Sequence, residues 1–348
     1  MIKPPKLRPG DLVAAVSLSW GGPGAFPIRY EVGKRQLQDE FGVRVVESPN
    51  ALRDPGWLHG NPKARADDLM WAFSDSSIKA IFSTIGGEDS IRILPYLDLN
   101  VIRSNPKIFM GYSDTTISHF ACYRAGLGSF YGPAFMAGFA ENDGMLPYMI
   151  ESMRRALFSS APVGEKSLNL AGRTDPRLDW AVPENQSRKR ELRPAEGWRF
   201  LQGRGIRRGH LLGGCFEVFD WLRGTDFFPP LEAWQDAILF LETSEEAPSP
   251  TLVCYGLRAL AALGVLRRLS GILFGRPGGF DLPVEKFAEY DRVLMQVVSE
   301  EEGLTDLPII THMDFGHTDP MFILPYGLQV EIDCHARKFS ILEGAVVD

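Results

Sequence analysis

The sequence predicts an α/β fold: an N-terminal parallel-sheet domain carrying a sharp strand-to-helix turn, then a C-terminal α/β domain with a late β-meander. Two patterns carry this. Short apolar runs alternate with helix-period segments from Leu12 to Arg124, and such βα repetition implies parallel strands covered by helices on both faces. After a Pro- and Gly-rich interruption the alternation resumes at Arg208 and ends in closely spaced strands, as in a meander. At 348 residues the chain exceeds one typical core. Two domains are expected, over residues 1–160 and 206–348, with residues 161–205 connecting them.

The elements follow in order. Leu12 to Ser17 is a continuous apolar strand, Ile28 to Phe41 a helix, and Val43 to Glu47 a strand. Ala64 to Phe73 is a helix because Ala66, Leu69, Met70 and Phe73 share one face. A strand at Ile78 to Thr84 and a helix around Ile91 to Leu97 come next. Pro106 to Met110 reads as a buried strand; Ile117, Phe120, Ala121 and Arg124 then recur at helical spacing until Gly126 offers a C-cap. Between Ser159 and Gly203 periodicity dissolves, leaving Trp180 and Trp198 in a polar, Pro/Gly-rich segment. From Gly209 to Gly214 a second region opens. It continues with helix Phe216 to Leu222, strand Ala237 to Leu241, helix Thr251 to Leu263, strand Gly271 to Phe274 and helix Val284 to Val298. Strands at Pro308 to Thr311, Phe322 to Leu324 and Leu328 to Ile332 close the chain.

Composition narrows the class. A hydrophobic fraction of 45% and a charged fraction of 23% are ordinary for a globular protein. The net charge of -7, with Lys and Arg dispersed, gives no electrostatic footprint for nucleic acid or an anionic membrane. No apolar segment follows the basic start, and no stretch reaches the roughly 20 apolar residues of a membrane span. Cys122, Cys215, Cys254 and Cys334 lack C-x-x-C spacing, which argues against zinc ribbons and a disulfide scaffold, so reduced thiols and a cytoplasmic location are expected.

The chemistry starts at Gly111-Tyr112-Ser113-Asp114-Thr115, where an apolar strand turns abruptly into a helix. In a nucleophile elbow such a bend lifts a serine Oγ clear of the backbone and aims the next N–H, here that of Asp114, at an oxyanion. Thr115 stands where the usual G-x-S-x-G has its second glycine. The ordinary alternative is that Ser113 caps the helix. A nucleophilic serine needs a base and an orienting acid. Glu242 directly follows a continuous apolar strand, where a carboxylate needs compensating partners; a local ion pair or a cap for the next helix is the alternative. Glu245 and Glu246 read as solvated loop charges. Of six histidines, His317 follows a glycine in a turn between apolar strands, whereas His312 lies closer to the strand. Gly86-Gly87 offers a second tight turn at a strand's carboxyl end, and a second oxyanion donor.

These pieces resemble the LD-carboxypeptidases, serine peptidases that include the microcin C immunity peptidases. The resemblance runs through Pro9-Gly10-Asp11, Arg65-Ala66-Asp67-Asp68-Leu69, Gly86-Gly87, Gly111-Tyr112-Ser113-Asp114, Gly213-Gly214, Leu241-Glu242 and Phe315-Gly316-His317 with Leu324-Pro325-Tyr326-Gly327. It implies a triad of Ser113, Glu242 and His317 at an active site in the cleft between the two domains, an oxyanion hole from Asp114 and Gly86 or Gly87, and a cytoplasmic homodimer needing no metal and no cofactor. It also implies one of two substrates: a murein tetrapeptide losing its terminal D-Ala, or an aminoacyl nucleotide. Trp180 and Trp198 are similar to immunity-subgroup aromatics that stack on a nucleobase, although packing of the loop is their ordinary role. The loop Ala247-Pro248-Ser249-Pro250 lacks a basic residue for a phosphate, and Cys215 stands where relatives carry asparagine.

Two other readings compete. His312, Asp314 and His317, with Asp333 and His335, offer metal-ligand types, without the helical register of zincins. A binding protein using the cleft without chemistry is the other, since fold does not imply activity.

Overall fold

The computed structural model describes residues 1–174, 177–195, 197–279 and 282–348. Fourteen strands lie among them: β1 (Leu12–Val16), β2 (Arg44–Glu47), β3 (Ile78–Ser83), β4 (Ile108–Gly111), β5 (Phe130–Tyr131), β6 (Gly164–Glu165), β7 (Arg199–Gln202), β8 (Ile206–Cys215), β9 (Ile238–Glu242), β10 (Gly271–Gly275), β11 (Ile309–Met313), β12 (Leu324–Pro325), β13 (Gln329–Asp333) and β14 (Lys338–Ile341). They form two sheets, ordered β12-β5-β4-β3-β1-β2 and β6-β14-β13-β8-β9-β10-β11-β7. The mixed α/β architecture is the one expected.

In the first sheet β2, β1, β3, β4 and β5 are parallel. β1, β3 and β4 are buried almost throughout, because helices cover both faces. Side chains alternate between those faces. Phe109 packs on Phe73 under one, while Phe82 packs on Phe135 and Phe139 under the other. Each such fully buried phenyl contributes roughly 1.5–3 kcal/mol. The strand order reverses direction between β1 and β3, and open parallel sheets present their ligand crevice outside the carboxyl ends at such a point. Ser19-Trp20, Gly86-Gly87 and Ser113 lie beyond the ends of β1, β3 and β4.

The second sheet repeats the device. β8, β9, β10 and β11 are parallel, so Cys215, Glu242 and the loop after β11 emerge at one edge. The late strands part company. β13 and β14 form an antiparallel meander on β8, β11 joins the parallel core, and β12 crosses to the first sheet, pairing Leu324 with Tyr131. That crossing brings the carboxyl ends of both sheets to a common cleft. Tyr326, fully buried, locks it by donating to the Gly213 carbonyl at 2.6 Å.

Several elements depart from their sequence reading. The segment Ile91 to Leu97 is a 3-10 helix, Ser90–Tyr96, because Pro95 cannot continue an α-helix. The irregular connection contains β6 and β7, and β7 is a strand because it completes the edge of β11. Gly209 to Gly214, where the second region opens, belongs to β8: a Cβ on Gly214 would sit 2.5 Å from Thr116 Cγ2, so glycine is what lets the sheets approach. Among the described residues no helix is long and apolar enough to cross a membrane.

Candidate active site

Ser113 adopts φ +62° between β4 and helix Thr116–Arg124, a left-handed conformation that costs a non-glycine residue about 1–2 kcal/mol. The bend is held from behind, where the Ser113 N–H donates to Tyr131 Oη at 3.1 Å. Thr115 is accommodated because its methyl packs on Gly111, where a Cβ would lie 2.7 Å away; the steric demand of the elbow has moved to the first glycine of the motif. The N-cap positions of the two helical segments after β4 are Tyr112 and Thr115, not Ser113, and Ser113 Oγ lies 3.0 Å from His317 Nε2. Asp114 turns its buried carboxylate to the Ser90 N–H at 2.9 Å, and burial pushes that carboxyl up. Its backbone N–H stays on the side of Gly86, whose Cβ position would be 2.9 Å from Ser113 Cβ and 3.4 Å from Asp114 N.

Glu242 ends β9 fully buried and is satisfied by two donors. Its Oε2 is 2.7 Å from His317 Nδ1, and its Oε1 accepts from Tyr131 Oη. Gly316, at φ +99°, is required here: a Cβ would meet Glu242 Oε2 at 2.6 Å. His317 also rests 4.9 Å from the Tyr112 ring. His312 is elsewhere, buried against Phe287 with Asp291 at 3.3 Å. Asp314 pairs with Arg276 at 2.6 Å, and Asp333 caps its own turn at the N–H groups of His335 and Ala336. The H-x-D-x-x-H residues therefore do not converge. Among the described residues, the His, Cys and acidic atoms that do cluster are those of Cys215, Glu242 and His317, within 4.8 Å. Two of the three are joined in the hydrogen-bonded chain, and burial raises the Cys215 thiol well above its ordinary range.

A serine hydroxyl on an imidazole that a buried carboxylate orients can pass its proton to that ring as the oxygen attacks a carbonyl. Residues 13–132 match the LD-carboxypeptidase N-terminal domain, and residues 208–332 match the LD-carboxypeptidase C-terminal domain. The chain belongs to the LD-carboxypeptidase family. It is 28% identical over 342 residues to the microcin C7 self-immunity protein MccF of Escherichia coli, covering 97% of this chain and 94% of that one. It is 26% identical over 290 residues to the murein tetrapeptide carboxypeptidase of Pseudomonas aeruginosa, covering 83% and 80%. An MccF-like protein of Streptococcus pneumoniae, solved in complex with AMP, superposes with a TM-score of 0.84 at 29% identity, covering 95% of this chain and 98% of that one.

In this member of the LD-carboxypeptidase family His317 has a second acidic neighbour. Glu245 Oε2 lies 3.1 Å from His317 Nε2, the nitrogen that also faces Ser113. Burial alone would depress the imidazole; Glu242 and then Glu245 outweigh it and raise His317 from 6.5 to about 10. Glu245 is held well below the carboxylate range, since His317 and Arg177 overcome its partial burial. Glu245 is thus no solvated loop charge, and only the Ser244-Glu245-Glu246 run directly after the strand marked it in the sequence. Tyr131 was likewise unread, since nothing local ties it to Glu242.

Two cavities meet at Ser113. The larger, about 350 Å³, is lined by Glu88, Asp89, Glu217, Glu245 and Glu246 with His59 and Trp221. The smaller, about 200 Å³, runs past Gly86, Gly87 and Trp20 to Arg177 and Trp180, and beyond it Arg29 and Arg190 line a further recess. The cleft is therefore acidic on one side of Ser113 and basic and aromatic on the other. Trp180 stands on the wall, with the Arg29 and Arg177 guanidiniums 5.1 and 5.2 Å from its ring. Trp198, expected beside it, lies behind the wall. It is buried on Phe322 and donates to Asp314 at 2.8 Å, because β7 draws it into the second sheet.

Proposed function

We propose that this protein is a serine carboxypeptidase of the LD type, hydrolysing the last amide of a small peptide such as a murein tetrapeptide with release of D-Ala. The observation that carries the reading is the chain Ser113 Oγ, His317, Glu242, linked at 3.0 and 2.7 Å. Ser113 attacks the amide carbonyl while His317 Nε2 takes its proton, and Glu242 holds the ring by Nδ1. The developing oxyanion accepts from the Asp114 N–H and from Gly86 or Gly87. His317 returns the proton to the leaving amine, and water then hydrolyses the acyl-serine by the same relay. The basic side of the cleft, with Arg177 and Arg29, suits the terminal carboxylate that defines a carboxypeptidase substrate; Arg190 beside them is engaged by Glu141 and Asp319.

A second reading, an immunity-type peptidase cleaving aminoacyl-nucleotide amides, is favoured by Trp180 on the cavity wall and by the AMP bound to the pneumococcal relative. Against it, the loop Ala247-Pro248-Ser249-Pro250 after Glu242 carries no basic residue to meet a phosphate. Incubation with a murein tetrapeptide and an aminoacyl-sulfamoyl adenosine side by side decides between them. Labelling of Ser113 by a fluorophosphonate separates either from a non-catalytic binding protein. A cytoplasmic homodimer belongs to the same reading. The four cysteines are free thiols, and Leu252, Tyr255 and Leu263 expose an apolar face along helix Pro250–Ala262 and its C-cap.

A further inference from the structure

The nitrogen that must accept the serine proton is contested. Ser113 Oγ is 3.0 Å and Glu245 Oε2 3.1 Å from the same His317 Nε2. A carboxylate at that distance binds an N–H, whereas a general base needs a lone pair there. Glu245 sits on the loop that follows β9, with Arg177 Nη2 at 3.4 Å as its other neighbour, and it lines both cavities at their junction. No Lys or Arg lines the larger cavity among the described residues. Two of its acids are engaged, Asp89 by Arg65 and Arg92 and Glu217 by Ser244, and the exposed Glu88 and Glu246 flank Glu245 there.

We propose that Glu245 is a latch on the catalytic base: it holds the Nε2–H of His317 until an alkylammonium on the acyl side of the scissile amide draws its carboxylate into the acidic cavity. The Nε2 proton then leaves to solvent, and the freed lone pair takes the proton of Ser113. The basic side of the cleft is occupied by the leaving residue's carboxylate, so the acidic side receives the acyl residue. Glu245 would then be the residue that couples the side-chain ammonium before the scissile amide to the state of His317. The inference rests on Ser113 and His317 being nucleophile and base. The groups that face the imidazole are Glu242 at Nδ1, Glu245 at Nε2, the Tyr112 ring, and Cys215 with Glu217 behind it. Arg177 lies across the smaller cavity, and Arg29, Arg190 and Asp319 share the recess beyond. Of these, Glu245 is the carboxylate on a loop at Nε2.

The test uses acetyl-lysyl-D-alanine, acetyl-norleucyl-D-alanine and acetyl-glutamyl-D-alanine with wild type, Glu245→Gln and Glu245→Ala, alongside an NMR titration of the His317 ring. In the wild type the ring should titrate near the value of about 10 that its two carboxylates impose, and saturating acetyl-lysinamide should lower it. Glu245→Gln should lower it without ligand, by about one pH unit or more. The lysyl peptide should surpass the norleucyl one in kcat/KM by about tenfold or more, the scale of one desolvated charge pair. Both variants should lose that preference and gain activity on the norleucyl peptide at neutral pH. An unchanged His317 titration in Glu245→Gln overturns the latch whatever the activities are. So does an equal loss on all three peptides, which would make Glu245 only a positioning residue. If the titration behaves as described but the wild type cleaves no peptide, the latch stands and the carboxypeptidase reading fails.

Discussion

Tyr131→Phe removes one oxygen from the centre of the site and changes almost nothing else. Tyr131 is fully buried, and phenylalanine fills the same volume, so no cavity term arises. Its Oη donates to Glu242 Oε1 and accepts the Ser113 N–H at 3.1 Å. Loss of a hydrogen bond to a charged group costs about 1.5–3 kcal/mol, and an orphaned buried N–H adds on the order of 1 kcal/mol. A destabilisation of about 2.5–4 kcal/mol should therefore appear in urea unfolding. The same change reaches the chemistry with a definite sign. A Glu242 carboxylate with one donor fewer holds the His317 imidazolium more tightly, so the acid limb of kcat/KM against pH should move upward. The left-handed turn at Ser113, no longer tied at its N–H, should also lower kcat. Urea curves and pH-rate profiles on one preparation give all three readouts. A stability loss below about 0.5 kcal/mol, within the scatter of surface substitutions, would refute the reasoning, because a fully desolvated acid cannot lose a donor at no cost.

Ser113→Ala should leave the fold intact and lower kcat by on the order of 10⁴, measured by single turnover. His317→Ala should be nearly as damaging and the double variant little worse than either, whereas His312→Ala, remote from Ser113, should cost stability and spare kcat. Trp180→Ala should raise KM for an aminoacyl-adenylate analogue by about tenfold, the worth of roughly 1–3 kcal/mol of stacking, and barely alter cleavage of a murein tetrapeptide. Trp198→Ala should instead destabilise by about 3–5 kcal/mol as a buried aromatic does, without a substrate-dependent KM change. The folded-state value of His317 is raised from 6.5 to about 10, so its stabilising share is complete below pH 6.5 and lost as the pH rises through about 10. Thermal midpoints should fall across that window, less steeply in Glu245→Gln.

The sequence alone determined what depends on neighbours along the chain. Alternating apolar runs and helix-period segments define β1, β3, β4, β9 and β10 and the helices between them, because burial on two faces demands continuous apolar strands. The bend at Ser113 and the acid ending β9 were legible for the same reason: a strand's end is a local event, and a polar residue there needs an explanation. The tertiary structure decided everything that required two distant segments to meet. β7 is too short and too mixed in pattern to declare itself, and exists because β11 offers an edge to pair with; a strand is legible at Phe322 to Leu324, but that it pairs as β12 with β5 of the first sheet is not. Tyr131 and Glu245 entered the site for the same reason. Nothing local marks Tyr131 for the site and Glu245 is read locally as a loop charge, and only the crossing of β12 and the Gly316 turn bring His317 between them. Trp198 makes the converse point. Its residue type suited a stacking platform, but its position in the fold buries its ring and commits its one polar atom to Asp314.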